Sequence, residues 1–444
     1  MRRSITGLAG VRASACASSG LRRRSGSARA AMCCASCTVT SSITGTCGKS
    51  GVMPVRVKQL PSNPFRFGRI VSGDAFTDRE ADILVLQREL RDGQNVLIEA
   101  PRRFGKTSLI LEVRRRLQAD GVPVAYLDCM LVPSRARLAD RLASAYFDAF
   151  RTPTQRAEEW VVQHLKAVRI RPTLSIDDHG HTQVSFEAAS AGSTNLDALL
   201  EQLFQEPELI AKTGKKKRLV VILDEFQDLM ELGPGLLRQL RAVIQHQQHV
   251  SYAFLGSRQG LLRKAVHDRG APLLKMARPY PLGPLPKDEF THFLQTRFKA
   301  SGRPLPRPAI DALIDFTGGH PNDTQEAAHF LWEVALLPLP PDALVRTAID
   351  RMLDAEAAQM TVLWHDSAPA QRSLLVALVE WGGRNIYSED FRRHANLGAA
   401  TTVQRAVQTL IERELVDLDA NGVYRIKERF FEEWIRRRIV RGEL

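Results

Sequence analysis

The chain has 444 residues, of which 44% are hydrophobic and 25% are charged, and its formal net charge is +13. This length predicts two or three domains, and the apolar fraction is sufficient for packed cores. The apolar runs fall short of the roughly 20 residues that span a bilayer, and no secretory h-region begins the chain. We therefore expect a cytoplasmic protein that does not engage a membrane.

Residues 1–52 form a segment rich in Arg, Ser and Cys that we predict to be a disordered tail. It contains eight basic residues and no Asp or Glu, so removing it lowers the formal charge from +13 to +5. The basic charge is therefore mainly a property of the tail and is weak evidence for nucleic-acid binding. Two origins stay open: non-native sequence upstream of a start at Met53, which the domain-like sequence from Met53 favours, or an organelle transit peptide.

Five of the six cysteines lie in this tail. Cys34 and Cys37 have the spacing of half a zinc site, but no second pair or histidine stands at finger spacing, so unliganded thiols are the simpler interpretation. Cys129 lies in strand-like sequence and is predicted to be a buried packing residue. A single thiol outside the tail indicates a reducing compartment.

The first predicted helix begins near Thr77, which has capping-box spacing to Glu80. Its predicted apolar face consists of Ile83, Leu84, Leu86 and Leu90. An apolar run at residues 96–98 then predicts a buried strand, and residues 100–107 have the spacing of a phosphate-binding loop.

The loop residues have the chemistry that a nucleotide phosphate requires. Gly105 permits the tight turn, Lys106 supplies a point charge for the β- and γ-phosphates, and Thr107 supplies a hydroxyl for Mg²⁺. A helix after the loop would direct its positive N-terminal end at the same anion. The predicted nucleotide-binding residues of this segment are Ala100, Pro101, Arg102, Arg103, Phe104, Gly105, Lys106, Thr107 and Ser108. We expect ATP as the ligand and Mg²⁺ as its cofactor.

Residues 219–225 read as an apolar run that ends in two acids, which is typical of a parallel strand buried on both faces. Asp224 is predicted to hold the metal, and Glu225 to polarise the water that attacks the γ-phosphate. The alternative is a helix-capping Asp224 beside a solvated Glu225. A further strand at residues 250–255 leads to Ser257, a polar residue at a strand end that faces the ligand crevice.

These motifs resemble the AAA+ and related signal-transducing (STAND-like) P-loop ATPases of prokaryotes and archaea that carry a C-terminal winged helix. The resemblance depends on residues 71–80, 101–108, 223–227 and 318–321. It implies an α/β fold: a parallel-sheet P-loop NTPase core, an α-helical lid and a C-terminal winged helix-turn-helix.

The resemblance also implies roles for residues outside the loop. Ser257 would sense the γ-phosphate, and Gly319, His320 and Pro321 would lie near the base, although His320 is equally consistent with a turn residue. The arginine finger is either Arg278 or Arg258, and each is also consistent with a surface arginine. A finger donated by a neighbouring subunit would imply a homo-oligomer.

Two features depart from this pattern. Ala100 replaces the first glycine of the loop, which is tolerable when its φ angle is negative. The acid pair also lies far beyond Lys106, so we predict an insertion that contains a hairpin near residues 173–186. The hairpin turn includes His179 and His181, which form either a metal site or, more simply, a polar turn.

The last 75 residues predict a winged helix with helices at 371–381, 387–395 and 401–413 and a hairpin at 415–426. Polar residues lie on the outward face of the third helix, where DNA would be read: Thr401, Thr402, Gln404, Arg405 and Gln408. Residues 370–444 carry 13 basic against 11 acidic groups. This small excess leaves double-stranded DNA and a protein as alternative partners. The terminal run at 436–438 is either a phosphate contact or a solvated cluster.

We therefore divide the chain into a tail (1–52), a P-loop ATPase core (53–282), an α-helical lid (283–366) and a winged-helix domain (367–444). The expected function is Mg²⁺-dependent binding and hydrolysis of ATP, with the nucleotide state coupled to the winged helix. The alternative is an ATP-gated DNA-binding or protein-docking regulator with little or no turnover.

Overall fold

The computed structural model describes residues 62–71, 73, 76, 79–150, 172–176, 182–186, 196–213, 218–233, 235–257, 259–419 and 421–442. The predictions on the tail and its cysteines, on Met53, on the turn at 177–181 and on Arg258 lie outside these residues. The predicted capping box from Thr77 to Glu80 was wrong, because the first helix begins at Glu80 with Arg79 as its N-cap.

Seven strands precede the lid in the described chain. They are β1 (Val96–Glu99), β2 (Val124–Asp128), β3 (Pro172–Ile176), β4 (Thr182–Phe186), β5 (Leu219–Asp224), β6 (Val250–Gly256) and β7 (Arg278–Pro281). Five of them form a parallel sheet in the order β2, β5, β6, β1, β7. Every residue of β5 and β6 is buried, which is the pattern of parallel strands covered on both faces.

Helices cover both faces of this sheet. The helices of this part are α1 (Glu80–Asp92), α2 (Lys106–Ala119), α3 (Arg135–Phe150), α4 (Leu196–Thr213), α5 (Leu236–Ile244) and α6 (Gln259–Leu262). Helices α1 and α2 pack on one face, and α3, α4 and α5 on the other. The predicted apolar face of α1 was wrong in one residue, because Leu84 is 55% exposed while Ile83, Leu86 and Leu90 are buried.

Strands β3 and β4 form an antiparallel hairpin in which Thr173 pairs with Ser185. The structure thus confirms the hairpin predicted in the long segment between the phosphate loop and the acid pair. Cys129 is also confirmed as a buried residue without a disulfide.

Strand β7 was not predicted, and Arg278, which we expected beyond the last core strand, is its first residue. Two prolines in four residues conceal the strand in the sequence, and they are tolerated because β7 lies at the edge of the sheet. Arg278 and Leu282 donate their backbone N–H groups toward β1. Pro279 and Pro281 alternate with these donors along the strand.

The rest of the described chain is a helical lid followed by a winged helix. The lid helices are α7 (Lys287–Ala300), α8 (Arg307–Thr317), α9 (Pro321–Val334) and α10 (Pro341–His365). The winged helix consists of α11 (Pro369–Trp381), α12 (Glu389–His394), α13 (Ala400–Glu412), β8 (Val416–Leu418), β9 (Tyr424–Ile426) and α14 (Arg429–Trp434).

The lid and the winged helix share one hydrophobic core. Phe316 of α8 stacks on Phe430 of α14 with ring centroids 6.1 Å apart, and Trp364 of α10 lies 6.3 Å from Trp434. Since apolar contact is continuous across this boundary, separating the two parts would expose large aromatic surfaces to water. Among the helices of the described residues, none is sufficiently long and apolar to cross a membrane.

Candidate active site

The phosphate loop connects β1 to α2 at the carboxyl edge of the sheet. Gly105 has a φ of 82° and caps the N-terminus of α2, and Arg103 also lies in the left-handed region with a φ of 62°. Ala100 is not among the described residues with positive φ, so its side chain is accommodated as predicted. The turn brings backbone N–H groups and the positive end of α2 to one point, which is an anion-binding arrangement.

Lys106 is buried beneath this loop. Its Nζ donates to the carbonyl oxygens of Ala100 at 3.1 Å and Pro101 at 3.0 Å. Burial lowers the pKa of Lys106, while the charges of Glu225 and Asp224 oppose this shift. A phosphate oxygen would be a stronger, charge-assisted acceptor for this ammonium group than the two carbonyls.

Asp224, at the end of β5, is buried and accepts three hydrogen bonds. Its Oδ2 accepts from Thr107 Oγ1 at 2.7 Å and from the Tyr126 hydroxyl at 3.0 Å, and its Oδ1 accepts from the Glu225 backbone N at 3.0 Å. Burial raises the pKa of Asp224, and the two side-chain hydrogen bonds lower it in part. The hydroxyl of Thr107 and the carboxylate of Asp224 are hard oxygen donors, so the pair fits a Mg²⁺ ion.

Glu225 follows Asp224 with a left-handed φ of 47°. Its Oε2 accepts from Ser257 Oγ at 2.7 Å and from Gln227 Nε2 at 2.6 Å. The residue predicted as a γ-phosphate sensor is therefore bonded to the residue predicted to act on water. Both donors bind the same carboxylate oxygen and so fix the orientation of Glu225.

A cavity of about 320 Å³ extends from the loop to the lid. The charged lining residues are Arg66, Arg69, Arg79, Arg103, Lys106 and Glu225. The apolar lining residues are Phe67, Ile70, Val71, Phe76, Phe104, Leu285, Phe290 and Pro321. Its size and its combination of basic groups with apolar surface suit a nucleotide, which has both phosphates and a base.

A segment without regular structure, residues 62–71, forms part of this cavity. The Val71 N–H donates to Ser108 Oγ at 3.1 Å, and the Gly68 N–H donates to Asn322 Oδ1 at 2.9 Å. These bonds attach the segment to α2 on one side and to α9 on the other. We did not predict this role, because the segment has no hydrophobic periodicity to indicate a packed element.

The chain matches the family described as "ATPase domain predominantly from Archaea" over residues 76–326. It belongs to this ATPase family. A second match, to a "probable winged helix domain", covers residues 359–437 and confirms the expected C-terminal module.

A solved structure shares the fold of this ATPase. A Walker-type ATPase of Pyrococcus abyssi is 16% identical with a TM-score of 0.56, and the alignment covers 82% of this chain and 97% of that chain. The ORC2 protein of Aeropyrum pernix, with ADPNP and ADP, is 14% identical with a TM-score of 0.48, covering 85% of this chain and 99% of that one. A search among curated proteins gave no match.

The lid of the ATPase touches the phosphate loop through His320. This residue is the N-cap of α9, and Pro321 is the first residue of the helix. The His320 ring lies edge-on against Phe104 at 4.5 Å, and its Nε2 lies 3.3 Å from the Arg102 carbonyl oxygen. Gly319 has a φ of 70°, and a Cβ there would lie 3.3 Å from the Leu285 carbonyl oxygen. Pro321 lines the cavity, whereas His320 contacts the loop.

The winged helix also reaches the loop. Arg102 Nε lies 3.2 Å from Glu414 Oε2, in the turn after α13. Glu326 of α9 is only 4% exposed. Burial, reinforced by the charge of Glu356, raises its pKa to about 7, and Arg103 opposes the shift. No motif or periodic pattern in the sequence indicated these contacts between distant segments.

Arg278 lies away from the loop of its own chain. In the sheet register it pairs with Val96, the first residue of β1, whereas the loop follows the last. Its guanidinium forms an ion pair with Glu89 at 2.5 Å. A role as arginine finger toward a neighbouring subunit stays a prediction.

The outward face of α13 is polar, as predicted. Thr401, Gln404 and Arg405 are exposed and Thr402 is partly exposed, while the opposite face is buried. The terminal arginines are instead engaged in ion pairs: Arg436 with Glu432 and Glu433, Arg437 with Glu433 and Asp350, and Arg438 with Asp354. The cluster is therefore paired with acidic residues of the chain and is not simply solvated. Within the part of the chain that the structure describes, no group of three or more His, Cys, Asp or Glu residues is arranged to hold a metal ion.

Proposed function

We propose that the chain is a Mg²⁺-dependent ATPase whose nucleotide state is coupled to its winged helix. The observation that carries this proposal is the pair of side-chain contacts at the carboxyl edge of the sheet, Thr107 with Asp224 and Ser257 with Glu225. They bring the predicted metal ligands and the predicted base together beside the buried Lys106. Such an arrangement is what phosphoryl transfer to water requires.

Each residue has a separable role in this proposal. Lys106 leaves the two loop carbonyls and binds phosphate oxygens, which neutralises part of their charge. Thr107 and Asp224 hold Mg²⁺, which supplies electrostatic stabilisation of the β- and γ-phosphate oxygens. Glu225 orients the attacking water and accepts its proton, and Ser257 keeps the Glu225 carboxylate in place.

The coupling depends on contacts that meet at Arg102. Its backbone carbonyl faces His320 of the lid, and its side chain pairs with Glu414 of the winged helix. A triphosphate bound in the loop offers Arg102 a competing anion. Nucleotide binding would therefore weaken the contact with Glu414 and alter how the winged helix is held.

A double-stranded DNA partner is the second part of the proposal. It is supported by the exposed polar face of α13, where Arg405 has no role in the core of the winged helix. This face of α13 would bind in the major groove of the DNA. A protein that docks on the same face is the alternative, and a homo-oligomer that uses Arg278 as a finger is a further expectation.

The test is steady-state ATP hydrolysis by the full chain and by its Glu225→Gln variant, beside binding of a fluorescent ATP analogue. We expect the variant to retain nucleotide binding and to lose turnover by about 10²- to 10⁴-fold, because the base is removed and the loop is not. Glu231→Gln, which changes an exposed carboxylate in the same segment, is the matched control. Equal turnover in Glu225→Gln and wild type, or binding without turnover in both, would favour the regulator with little hydrolysis.

The same assay with double-stranded DNA at two salt concentrations tests the partner. Turnover that rises with DNA at low salt supports coupling to DNA, since phosphate contacts weaken as salt increases. Turnover that is indifferent to DNA favours a protein partner.

A further inference from the structure

We infer that Tyr126 is a positioning residue for Asp224, the carboxylate that would bind the metal. The inference rests on the proposed function, and it assigns a role to a residue that none of the sequence motifs includes. Tyr126 lies on β2, the strand that pairs in parallel with β5. Its hydroxyl reaches the end of β5 and donates to Asp224 Oδ2 at 3.0 Å.

Three donors hold the Asp224 carboxylate, and they differ in kind. The Glu225 N–H, on Oδ1, is part of the backbone that follows the strand. The Thr107 hydroxyl, on Oδ2, is itself a predicted metal ligand, so its position depends on what the loop has bound. Among these donors, Tyr126 alone is a side chain from a neighbouring strand with no role in metal or phosphate binding. It can therefore keep the carboxylate oriented whether or not the loop is occupied.

The phenol is well suited to this role. Tyr126 is partly buried and packs against the apolar cluster between the sheet and helices α1 and α2. The guanidinium of Arg114 lies 5.6 Å from the centre of its ring. Burial, with the negative charge of Asp224, raises the pKa of Tyr126.

Removal of this donor should weaken metal binding more than nucleotide binding. Partners that orient a metal ligand typically contribute 10- to 100-fold to metal affinity. The phosphate loop itself does not touch Tyr126 in any described contact, and Lys106 and the loop amides would continue to hold the phosphates. A residue that only packs the sheet would not separate the two affinities in this way.

The test compares full-length wild type with Tyr126→Phe, which keeps the ring and removes the hydroxyl. Mn²⁺, as a paramagnetic replacement for Mg²⁺, is titrated in the presence of ATP and its binding is measured by electron paramagnetic resonance. Binding of a fluorescent ATP analogue is measured in parallel with EDTA. We expect the Mn²⁺ dissociation constant to rise by about 10-fold or more and metal-free nucleotide binding to change by less than about 2-fold.

Tyr252→Phe is the matched control. The Tyr252 hydroxyl donates to Gln247 Oε1 at 2.8 Å and belongs to the opposite face of the sheet. The Tyr252→Phe substitution removes one tyrosine hydrogen bond and leaves the contacts of Asp224 intact. The Mn²⁺ affinity of this variant should therefore equal that of wild type. Thermal unfolding of both variants reports whether either one loses its fold.

The outcomes separate the inference from the proposed function. Equal Mn²⁺ affinity in Tyr126→Phe and wild type would overturn the positioning role, as would an equal loss in Tyr252→Phe. Parallel losses of metal and metal-free nucleotide binding would also overturn it, because they indicate general damage to the site. Wild type that binds neither ATP nor Mn²⁺–ATP would instead refute the proposed function.

Discussion

The carboxyl edge of the parallel sheet and the outer face of the winged helix both present polar residues, but they do so in opposite ways. At the sheet edge, Lys106, Asp224 and Ser257 are buried, and their polar atoms are bonded to the loop or to Glu225. On α13, Gln404 and Arg405 extend into solvent. Buried polar groups persist only when they are satisfied, so the first region is organised before a ligand arrives. The second is exposed to solvent, and the proposed partner would organise it.

The largest effect is expected from a substitution in the organised region at the sheet edge. Lys106→Ala removes the charge that faces the phosphates, and we expect both nucleotide binding and turnover to become undetectable in calorimetric and hydrolysis assays. Lys299→Ala, an exposed lysine of α7, should leave both unchanged. Retention of tight ATP binding by Lys106→Ala would show that the phosphates lie elsewhere.

The next effect concerns Glu326 of the lid, whose carboxyl group interacts electrostatically with Arg103 of the loop. Its pKa of about 7 in the folded protein exceeds the ordinary value of 4.5, because burial disfavours the charged form. Between these two pH values the unfolded chain binds fewer protons, so stability falls as pH rises, by roughly 3 kcal/mol at most. Glu326→Gln should match wild type near pH 4.5 and be more stable at pH 8 in denaturant titrations.

Glu289→Gln, which changes an exposed carboxylate of α7, is the control for this titration. It should keep the pH dependence of wild type. If Glu326→Gln also keeps it, the carboxyl group of Glu326 is not the one that titrates between pH 4.5 and 7.

A smaller effect is expected on the solvent-facing region. Arg405→Ala should weaken binding of double-stranded DNA by about 1 kcal/mol or somewhat more, measured by fluorescence anisotropy at fixed salt. Nucleotide affinity should not change, since Arg405 is remote from the loop in the described contacts. Undiminished DNA binding would exclude this face of α13 as the interface and would sharpen the case for protein docking.

The smallest effect tests the link between the regions. The Arg102–Glu414 pair is partly exposed, so its contribution is at most about 1 kcal/mol. Glu414→Gln should release Arg102 toward the phosphates and increase ATP affinity by a few-fold in a fluorescence titration. Glu412→Gln, an exposed residue two positions earlier, should have no effect. Unchanged ATP affinity in Glu414→Gln would mean that the pair does not compete with nucleotide.

The sequence was informative where chemistry depends on residues that are close along the chain. The spacing of the loop identified Lys106 and Thr107, and the apolar run before Asp224 and Glu225 identified a buried strand. The periodicity of α13 correctly separated its buried face from its exposed face.

Contacts between distant segments were not accessible in the same way. Tyr126 reaches Asp224 only because β2 and β5 are paired in one register, and Arg102 meets Glu414 only because the lid and winged helix fold back over the loop. Neither the register of paired strands nor the packing of distant segments produces a periodic pattern in the sequence. Residues 62–71 lack such a signal altogether, although they line the cavity.

Strand β7 gives the sheet an outer edge that another chain cannot easily extend. The backbone N–H groups of β7 point toward β1. The residues between these donors are Pro279 and Pro281, which have no N–H group that could point outward. A foreign strand would find acceptors there but no donors. Copies of this protein that meet at β7 would therefore do so through side chains, without joining their sheets.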